Sequence, residues 1–586
     1  MRRLFPLLAL LMLLPAHVAQ AKPGSRLHPP VTGQLGVIAT ESPAAARVGR
    51  GVLEAGGNAI DAAAATVFAL NVARPQSCGV GGGGFMLYRS RTGKVRALDF
   101  RETAGAAATP SMFAGPGLHK DFTGHLTVGV PGVVAGMDAA LSRYGTLKLA
   151  DAVAPAEQLA REGFRVPASM EAAIRSEGDR IVKFPGTAAV FMPNGQPLAA
   201  GSTFRQPDLA ATLRRIMRGG SGAFYRGTIA QRIVRDMAAP RPATGDPGQL
   251  TLADFAAYRP AWRDPIAGTY RGRLVLGVPP PTSGGVAIQE MLNILEGFDL
   301  KGAGQSSALA DHLIAEAEKI AFADRGAYIG DPAFVRMPVA GLISKAYAAL
   351  RRPEINTDRA NTYAPGGFPS AAAATRVPAG ADTNPKGSTT HVSVIDRAGN
   401  AVSLTCTIEQ EFGSAVMAPG TGFLLNNELT DFGDPGTANQ PAPGKRPRSS
   451  MSPEMVVQGG QPVLVAGGAG GARIIMGVLL QVVNTVDFGL DLAHSVDAER
   501  LDNLGTANLN IEDARVDPAQ LTALQARGHR LVREGEYGPR PRVQLAGIDR
   551  STGRRVAVSD SRSDQGSLAE RVRPPAPAAS APDRTG

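Results

Sequence analysis

The segment 389–408 constrains the fold more than any other part of this 586-residue chain. Apolar and polar side chains alternate over 389–395 and again over 401–408, which predicts two half-buried β-strands. The five residues between them, 396–400, include a glycine and are typical of a hairpin turn. The pattern therefore predicts an antiparallel hairpin centred on Ala398.

Centring the hairpin on Ala398 fixes which side chains face each other across it, because side chains alternate between the two faces of a strand. The predicted partners on one face are Val394 and Val402, Val392 and Leu404, and Thr390 and Cys406; on the other face they are Thr389 and Thr407, and Ser393 and Ser403. Two threonine hydroxyls thus meet where a Pro/Ala/Gly-rich run, ending in Ser388, joins the first strand.

A threonine at such a junction can act as a nucleophile on its own chain. Attack of the Thr389 hydroxyl on the carbonyl of Ser388 would shift the acyl group to oxygen, and hydrolysis of the ester would release the upstream chain. The freed α-amino group has a pKa of about 7.7–8.0 and can then serve as the base for its own hydroxyl. Local composition alone favours an ordinary strand, since threonine is common in strands.

Further motifs favour the self-cleaving threonine over an ordinary strand. They are Gly56–Ala63 (GGNAIDAA), Gly81–Met86 (GGGGFM), Gly420–Phe432 (GTGFLLNNELTDF) and Lys445–Pro453 (KRPRSSMSP), in addition to the hairpin itself. Together these segments resemble the γ-glutamyltransferase family of N-terminal-nucleophile hydrolases. The resemblance extends over nearly the whole exported chain.

The resemblance implies an α+β fold, a four-layer αββα sandwich of the N-terminal-nucleophile hydrolase type, in which helices cover two mainly antiparallel sheets. Two fragments would build it jointly after autocatalytic cleavage between Ser388 and Thr389. The large subunit would span residues 22–388 and end in a flexible linker from about residue 351. The small catalytic subunit would span 389–586, and its Pro/Ala-rich tail, 571–586, is typical of disorder.

The same resemblance assigns the catalytic residues. Thr389 is the nucleophile, and Thr407 orients its hydroxyl, a role that the hairpin register supports independently. Gly470 and Gly471 would hold the oxyanion with two consecutive backbone N–H groups. A dinucleotide site in this glycine loop is disfavoured, because Arg473 replaces the third glycine of the Gly-x-Gly-x-x-Gly pattern.

Six further residues are expected to bind the substrate. Arg101, Ser449 and Ser450 would hold an α-carboxylate, and Glu409, Glu428 and Asp431 would surround an α-ammonium. From local sequence alone, Arg101 would pair with a neighbouring acid at the surface. Three gathered carboxylates repel one another unless a cation joins them, so this set of residues predicts an amino-acid zwitterion as ligand.

The predicted reaction is cleavage of the γ-glutamyl amide of glutathione and related compounds through a γ-glutamyl ester on Thr389. Water, amino acids or peptides would accept the acyl group, and the resemblance implies no cofactor and no metal. One alternative is a glutaryl or β-lactam (cephalosporin) acylase; a glutaryl group lacks the α-ammonium. Another, from a different class, is an unprocessed γ-glutamyl binding protein without turnover.

Residues 1–21 combine an arginine pair, an apolar run and an Ala-Gln-Ala cleavage site, which predicts a secretory signal peptide and a periplasmic or extracellular product. No other segment predicts a membrane span. The surplus of 61 Lys and Arg over 51 Asp and Glu is scattered, so nucleic acid is not an expected partner. The chain has two cysteines, Cys78 and Cys406, and their apolar or glycine-rich surroundings favour two separate buried thiols over a disulfide.

The interval 433–444, between two of the family-like motifs, is short and has no aromatic residue. Some members of the family carry a longer insertion here, with an aromatic residue that covers the bound substrate. We therefore expect an uncovered pocket that admits water and large donors, since closing lids normally exclude both.

Overall fold

The computed structural model of the protein describes residues 27–114, 117–239, 247–368, 387–538 and 541–571. The predicted signal peptide, residues 369–386 of the predicted linker and residues 572–586 of the tail lie outside these ranges. Within them, every helix is too short or too polar to cross a lipid bilayer.

Nineteen strands are present among the described residues. In chain order they are β1 (Val31–Gly33), β2 (Val37–Thr40), β3 (Gly83–Arg89), β4 (Val95–Asp99), β5 (Phe164–Arg165), β6 (Thr203–Phe204), β7 (Ala261–Arg263), β8 (Ile266–Tyr270), β9 (Arg273–Gly277), β10 (Gly387–Ile395), β11 (Ala401–Gln410), β12 (Glu454–Gln458), β13 (Gln461–Ala469), β14 (Leu501–Asp502), β15 (Asn508–Ile511), β16 (Arg530–Arg533), β17 (Arg542–Ile548), β18 (Arg555–Ser559) and β19 (Gly566–Ala569).

The α-helices pack around these strands. They are α1 (Pro43–Glu54), α2 (Ala59–Ala73), α3 (Val133–Tyr144), α4 (Leu149–Glu162), α5 (Ala168–Ser176), α6 (Gly178–Ile181), α7 (Pro185–Phe191), α8 (Pro207–Tyr225), α9 (Thr228–Ala238), α10 (Leu252–Ala257), α11 (Gly284–Leu295), α12 (Leu300–Ala303), α13 (Ala308–Tyr328), α14 (Val339–Leu342), α15 (Lys345–Arg351), α16 (Ile474–Val486), α17 (Leu492–Asp497) and α18 (Pro518–Ala526).

Two seven-stranded antiparallel sheets form the centre of the molecule. One has the strand order β1-β18-β17-β13-β12-β9-β8, and the other has the order β19-β2-β10-β11-β3-β4-β7. Each sheet combines strands that precede Ser388 with strands that follow it. The α+β class with antiparallel sheets, expected from the sequence, is confirmed.

The hairpin of β10 and β11 has the predicted register. Thr389 pairs with Thr407, Thr390 with Cys406, and Val394 with Val402. β10 also pairs with β2 and β11 pairs with β3, so the hairpin occupies the middle of its sheet. A strand in that position has partners on both sides, which restricts slippage of its register.

The polar face of the hairpin lies against the other sheet. The Ser403 hydroxyl donates to the carbonyl of Ala466 in β13 at 2.7 Å, and the Ser393 hydroxyl donates to that of Gln544 in β17 at 2.9 Å. His391 lies between them and contacts the Thr405 hydroxyl at 2.8 Å. Burial lowers the pKa of His391 to about 3, so this layer between the sheets is polar and uncharged.

The apolar face of the hairpin packs against helices. Val392, Val394 and Leu404 belong to one buried cluster with Phe68 and other residues of α2, and α1 packs beside α2 against β2. The predicted cap of α2 is present, because the Asn58 side chain accepts from the N–H of Asp61 and the Asp61 carboxylate accepts in return. Helices α11, α16 and α17 contact the sheet that does not contain the hairpin, the one with the order β1-β18-β17-β13-β12-β9-β8.

The glycine-rich run before β3 serves close packing, as the sequence suggests. A Cβ atom added at Gly82 would lie 1.9 Å from the carbonyl oxygen of Thr407, and one at Gly84 would lie 2.1 Å from that of Thr405. Glycine thus allows β3 to approach β11 closely. The run precedes a strand and not a helix, so it does not form a phosphate-binding loop.

Part of the predicted linker is packed in the structure. The phenol of Tyr363 donates to the Glu316 carboxylate at 2.6 Å, the N–H of Gly366 donates to Asp324 at 2.6 Å, and the ring of Phe368 contacts Tyr328. These three partners lie on α13. The segment 352–368 therefore has a fixed position on this helix, in contrast to the flexibility expected from about residue 351.

The expectation of two separate thiols is wrong: Cys78 and Cys406 form a disulfide, with their Cα atoms 5.4 Å apart. Their sequence separation of 328 gave no signal of proximity. The loop before β3 runs beside β11, where the N–H of Ile408 donates to the carbonyl of Ser77 at 3.2 Å. This pairing places Cys78 next to Cys406, and both side chains are fully buried.

The disulfide joins the loop before β3 to the central strand β11 across a long sequence separation, so its loss should destabilise the fold. We expect Cys78→Ala, Cys406→Ala and the double variant to lose about the same free energy of unfolding, on the order of 2–5 kcal/mol, because each removes one bond. Urea unfolding of the three variants and of reduced wild type measures this. Two titratable thiols in unreduced, denatured wild type would contradict the disulfide.

Candidate active site

One pocket brings together nearly all the residues that the sequence predicts for the site. Its lining residues are Arg101, Arg325, Gly387, Thr389, Thr407, Glu409, Glu428, Asp431, Arg448, Ser449, Ser450, Met451, Gly471 and Ala472. The predicted residues come from both sheets and from the loops at their ends. Two predicted residues do not line the pocket: Gly470, which directly precedes Gly471, and Ser388 of the predicted cleavage site, which directly precedes Thr389.

Thr389 and Thr407 meet at the bottom of this pocket. Their hydroxyl oxygens lie 3.1 Å apart, and the Thr407 hydroxyl lies 3.0 Å from the carbonyl oxygen of Ser388. The N–H of Glu409 donates to the Thr407 hydroxyl oxygen at 2.8 Å. The Ser388 hydroxyl is held in turn by Ser77 at 2.9 Å.

These contacts determine the direction of the hydrogen bonds. A carbonyl oxygen only accepts, so the single proton of Thr407 goes to Ser388. Thr407 then accepts from Glu409 and from the Thr389 hydroxyl. The arrangement directs the Thr389 lone pairs away from Thr407 and polarises the Ser388 carbonyl, the bond that a self-cleaving threonine would attack.

Arg101 lies in the acidic part of the pocket. Its guanidinium pairs with the carboxylates of Glu428 and Asp431, the latter at 2.5 Å, and with Glu102 at 3.9 Å. It also donates to the carbonyls of Pro447 and Arg448. Arg101 is 1% exposed, and the side chain of Asp431 is 26% exposed, so the cluster faces the pocket through Asp431.

Three carboxylates share one guanidinium, and their proton affinities rise accordingly. Burial, with the charge of Glu428, raises the pKa of Glu102 well above its usual range. Burial also raises the pKa of Glu428 to about 7, although Arg101 acts in the opposite direction. Burial likewise raises the pKa of Asp431. Near neutral pH the cluster therefore holds bound protons that a second cation would displace.

The segment Asn426-Asn427-Glu428 is held in place by hydrogen bonds of its two asparagine side chains. The Asn426 side chain donates to the carbonyls of Gly81 and Gly129 at 2.7 and 2.9 Å. The Asn427 carboxamide oxygen accepts from the N–H of Gln410 in β11 at 3.2 Å. The 3-10 helix Glu428–Asp431 follows directly, so these two amides position both of its acids.

Gly470 and Gly471 form the turn between β13 and the helix α16. Their φ angles are +137° and +60°, which glycine adopts without strain. Within the described residues, neither N–H donates to an acceptor. Both groups can therefore donate to an oxyanion in the pocket. Arg473, which interrupts the glycine pattern, pairs with Asp502 and Glu534 and does not line the pocket.

Ser449 and Ser450 form the opposite wall. The carbonyl of Ser449 accepts from the N–H and hydroxyl of Ser283, both near the start of α11, at 2.8 and 2.7 Å. The hydroxyl of Ser450 accepts from the Arg325 guanidinium at 2.9 Å.

Arg325 and Arg448 are pocket residues that sequence reasoning missed. Arg325 lies in α13, in a stretch that reads as an ordinary amphipathic scaffold helix, so no local signal distinguishes it. Arg448 lies within the Ser-Ser motif, and adjacency to Ser449 was the signal that could have revealed it.

The short interval 433–444 folds back on its own neighbours. The Lys445 ammonium donates to the carbonyls of Ala438 and Gln440, each at 2.8 Å, and the Asn439 amide donates to the carbonyl of Asp431 at 2.7 Å. The structure describes the whole interval, and none of its residues lines the pocket.

One cluster elsewhere has metal-ligand residue types. His312, Glu316 and His529 are buried with their donor atoms within 4.8 Å of one another. Several of their donor atoms already have partners, since Nδ1 of His312 contacts Nε2 of His529 at 2.8 Å and Glu316 accepts from Lys319 at 2.6 Å. The nearby ammonium disfavours a cation, and the hydrogen bonds account for the cluster.

Comparison with known proteins identifies similar chains of similar length. A family model described as gamma-glutamyltranspeptidase matches residues 45–570. The glutathione hydrolase proenzyme of Escherichia coli (strain K12) is 40% identical over 550 residues, 91% of each chain. The acylase ACY 1 proenzyme of Pseudomonas sp. (strain V22) is also 40% identical, over 515 residues that cover 86% of this chain and 88% of that protein.

A solved structure agrees with these matches. The crystal structure of cephalosporin acylase from Bacillus halodurans aligns with a TM-score of 0.83 and 30% identity over 95% of this chain and all of that one. Hydrolase and acylase relatives thus resemble this chain equally in sequence, so the pocket residues have to distinguish the two activities.

Proposed function

The chain belongs to the γ-glutamyltranspeptidase family, and from this premise we propose that it is a γ-glutamyltransferase and glutathione hydrolase. It cleaves the γ-glutamyl amide of glutathione and related compounds and passes the acyl group to water, amino acids or peptides. The observation that carries the proposal is the pocket that joins the Thr389–Thr407 hydroxyl pair to the acid cluster around Arg101.

The first step is self-processing at Ser388–Thr389. The Thr389 hydroxyl oxygen bonds to the Ser388 carbonyl carbon, the C–N bond breaks, and the new amine takes the hydroxyl proton. Water then hydrolyses the ester, leaving a carboxylate on Ser388 and a free amine on Thr389. Support comes from the Thr407 hydroxyl, which donates to that carbonyl at 3.0 Å.

Turnover repeats this chemistry on the substrate. The α-amine of Thr389 accepts the hydroxyl proton while the oxygen attacks the γ-carbonyl carbon, and the N–H groups of Gly470 and Gly471 stabilise the oxyanion. The amine then gives its proton to the leaving nitrogen, which departs and leaves a γ-glutamyl ester. Water or an amine attacks the ester and restores the hydroxyl.

The acid cluster selects the γ-glutamyl group. Glu409, Glu428 and Asp431 hold the α-ammonium, and Arg101, Ser449 and Ser450 hold the α-carboxylate. A glutaryl or cephalosporin acylase is the second candidate, favoured by the acylase relatives. Its glutaryl-type substrate brings no cation to carboxylates that burial already makes reluctant to ionise, so we rank it lower.

The two fragments form one assembly in a four-layer sandwich, and the sharing of both sheets between them supports this. The Cys78–Cys406 disulfide also connects the two sides of the proposed cleavage point. Disulfides persist in oxidising compartments, which supports export to the periplasm or the medium.

We expect the purified chain to cleave itself and Thr389→Val to stay full length, because valine keeps the shape and removes the nucleophile. Thr389→Val should also lose γ-glutamyl anilide hydrolysis by at least about 10³-fold. Denaturing gels and intact mass spectrometry detect the two fragments. The gels need a reductant, since without one the disulfide should hold the fragments in one band.

Thr390→Val is the matched control. Thr390 is the adjacent residue, fully buried, and its hydroxyl has no hydrogen-bond partner among the described residues. This variant should process and turn over normally. Cleavage of Thr389→Val at the same bond would show that the threonine hydroxyl is not the processing nucleophile.

Donor affinity should rise with pH through the range where the acid cluster ionises. The α-ammonium binds carboxylates, and the pKa of Glu428 in the free site is raised to about 7. Protonation therefore competes with binding below that pH, and KM should fall about fivefold from pH 6 to pH 7 and level off above. Glu428→Gln should flatten this profile. If the KM of Glu428→Gln depended on pH as it does in the wild type, Glu428 would not be the group that causes this dependence.

The uncovered pocket should accept long donors. We expect a γ-glutamyl oligomer to be hydrolysed with a kcat/KM within about tenfold of that for glutathione, because the interval 433–444 does not lie over the site. Hydrolysis should accompany transfer for the same reason. If glutathione is cleaved and the oligomer is refused, another segment covers the pocket.

A further inference from the structure

The guanidinium of Arg325 is buried in the pocket wall, and only two of its three nitrogens donate hydrogen bonds within the described residues. Arg325 is 6% exposed, and its Nε and Nη2 atoms donate to the hydroxyls of Ser283 and Ser450 at 2.8 and 2.9 Å. Within the described ranges, Nη1 has no hydrogen-bond acceptor, and no carboxylate lies within 4 Å of the side chain. A buried charge of this kind calls for an anion.

The pKa shifts of Arg325 and of a neighbouring arginine agree with the expectation of a bound anion. Burial lowers the pKa of Arg325 to about 10, and the charge of Asp431 acts in the opposite direction. Arg448 is a second buried guanidinium in the same wall; burial and then the charge of Arg325 lower its pKa. Two guanidiniums thus flank Ser449 and Ser450.

Arg101, on the acidic side of the pocket, already has several acceptors. Arg101 donates to two carboxylates, Glu428 and Asp431, and to the backbone carbonyls of Pro447 and Arg448. A ligand carboxylate that approaches Arg101 competes with these acceptors. At Arg325 it meets an unoccupied N–H beside the Ser450 hydroxyl.

We propose that Arg325 is a substrate-binding residue that pairs with the α-carboxylate of the γ-glutamyl group, beside Ser450 and in addition to Arg101. The inference rests on the proposed function. An amino-acid zwitterion carries both charges on one carbon, and the pocket offers acids near Arg101 and a free cation donor at Arg325. Arg325 also brings α13, from the part of the chain that precedes Ser388, into contact with the ligand.

Three small competitive inhibitors of γ-glutamyl anilide hydrolysis test the assignment. Glutamate carries the α-carboxylate and the α-ammonium, glutarate lacks the ammonium, and 4-aminobutyrate lacks the α-carboxylate. In Arg325→Gln, the Ki values of glutamate and glutarate should rise about 10- to 100-fold, while that of 4-aminobutyrate changes less than about threefold. The loss in anilide turnover should lie mainly in KM.

Arg325→Lys is the conservative companion. It keeps the charge but cannot bond Ser283, Ser450 and a ligand together, so we expect an intermediate loss, about 3- to 10-fold, confined to the two carboxylate probes. If Arg325→Gln fails to process, the selectivity in Arg325→Lys decides the question. Processing and melting temperature are recorded for both variants.

Equal weakening of all three inhibitors, or a fall in kcat at unchanged KM, would assign Arg325 a structural role and overturn the proposal. Unchanged Ki values would overturn it as well. Failure of the proposed function is a separate result, because it appears as wild-type protein that hydrolyses no γ-glutamyl anilide. In that case calorimetric binding of the three probes to wild type and variants gives the same comparison.

Discussion

The register of β10 against β11 is the constraint on which the site depends. It places the Thr389 and Thr407 hydroxyls 3.1 Å apart, and a slip by one residue would move both to the face that packs on α2. Pairing with β2 and β3 on the outer sides of the hairpin, and hydrogen bonds from Ser403 to the facing sheet, hold this register from three directions. Thr389, the proposed nucleophile, is therefore positioned by backbone pairing, which is stiffer than a loop.

The pocket around this hydroxyl pair is electrostatically divided. Glu102, Glu428 and Asp431 gather on Arg101, and burial raises the pKa of each acid, while Arg325 faces Ser450 with an unused donor. We expect such a pocket to bind a ligand that carries both charges on neighbouring atoms better than it binds either charge alone. On this expectation rests our preference for γ-glutamyl transfer over glutaryl cleavage, because sequence identity to the two kinds of relative is equal.

Much of the fold and of the candidate site could be predicted from local patterns and motifs. The features that were not predicted share one cause. The hairpin register, the cap of α2 and the start of β3 follow from alternation, capping residues and glycine, all of which act within a few residues. The Cys78–Cys406 disulfide depends on pairing between β3 and β11 across 328 residues, and no local pattern encodes it. Arg325 was missed because a charged residue in an amphipathic helix is ordinarily solvated, and only packing against α11 and the Ser-Ser segment buries it.

Both sheets contain strands from before and after Ser388, and the pocket likewise contains residues from both sides. Arg101 and Arg325 precede the proposed cleavage point, whereas the threonines, Glu428 and Ser450 follow it. The proposed cleavage would free an amine without separating the groups that we propose to bind the ligand, because strand pairing and the disulfide connect the two sides of Ser388. A ligand that bridges Arg325 and the acid cluster would contact both fragments at once. Substrate binding and fragment association would therefore be linked, and each would stabilise the other.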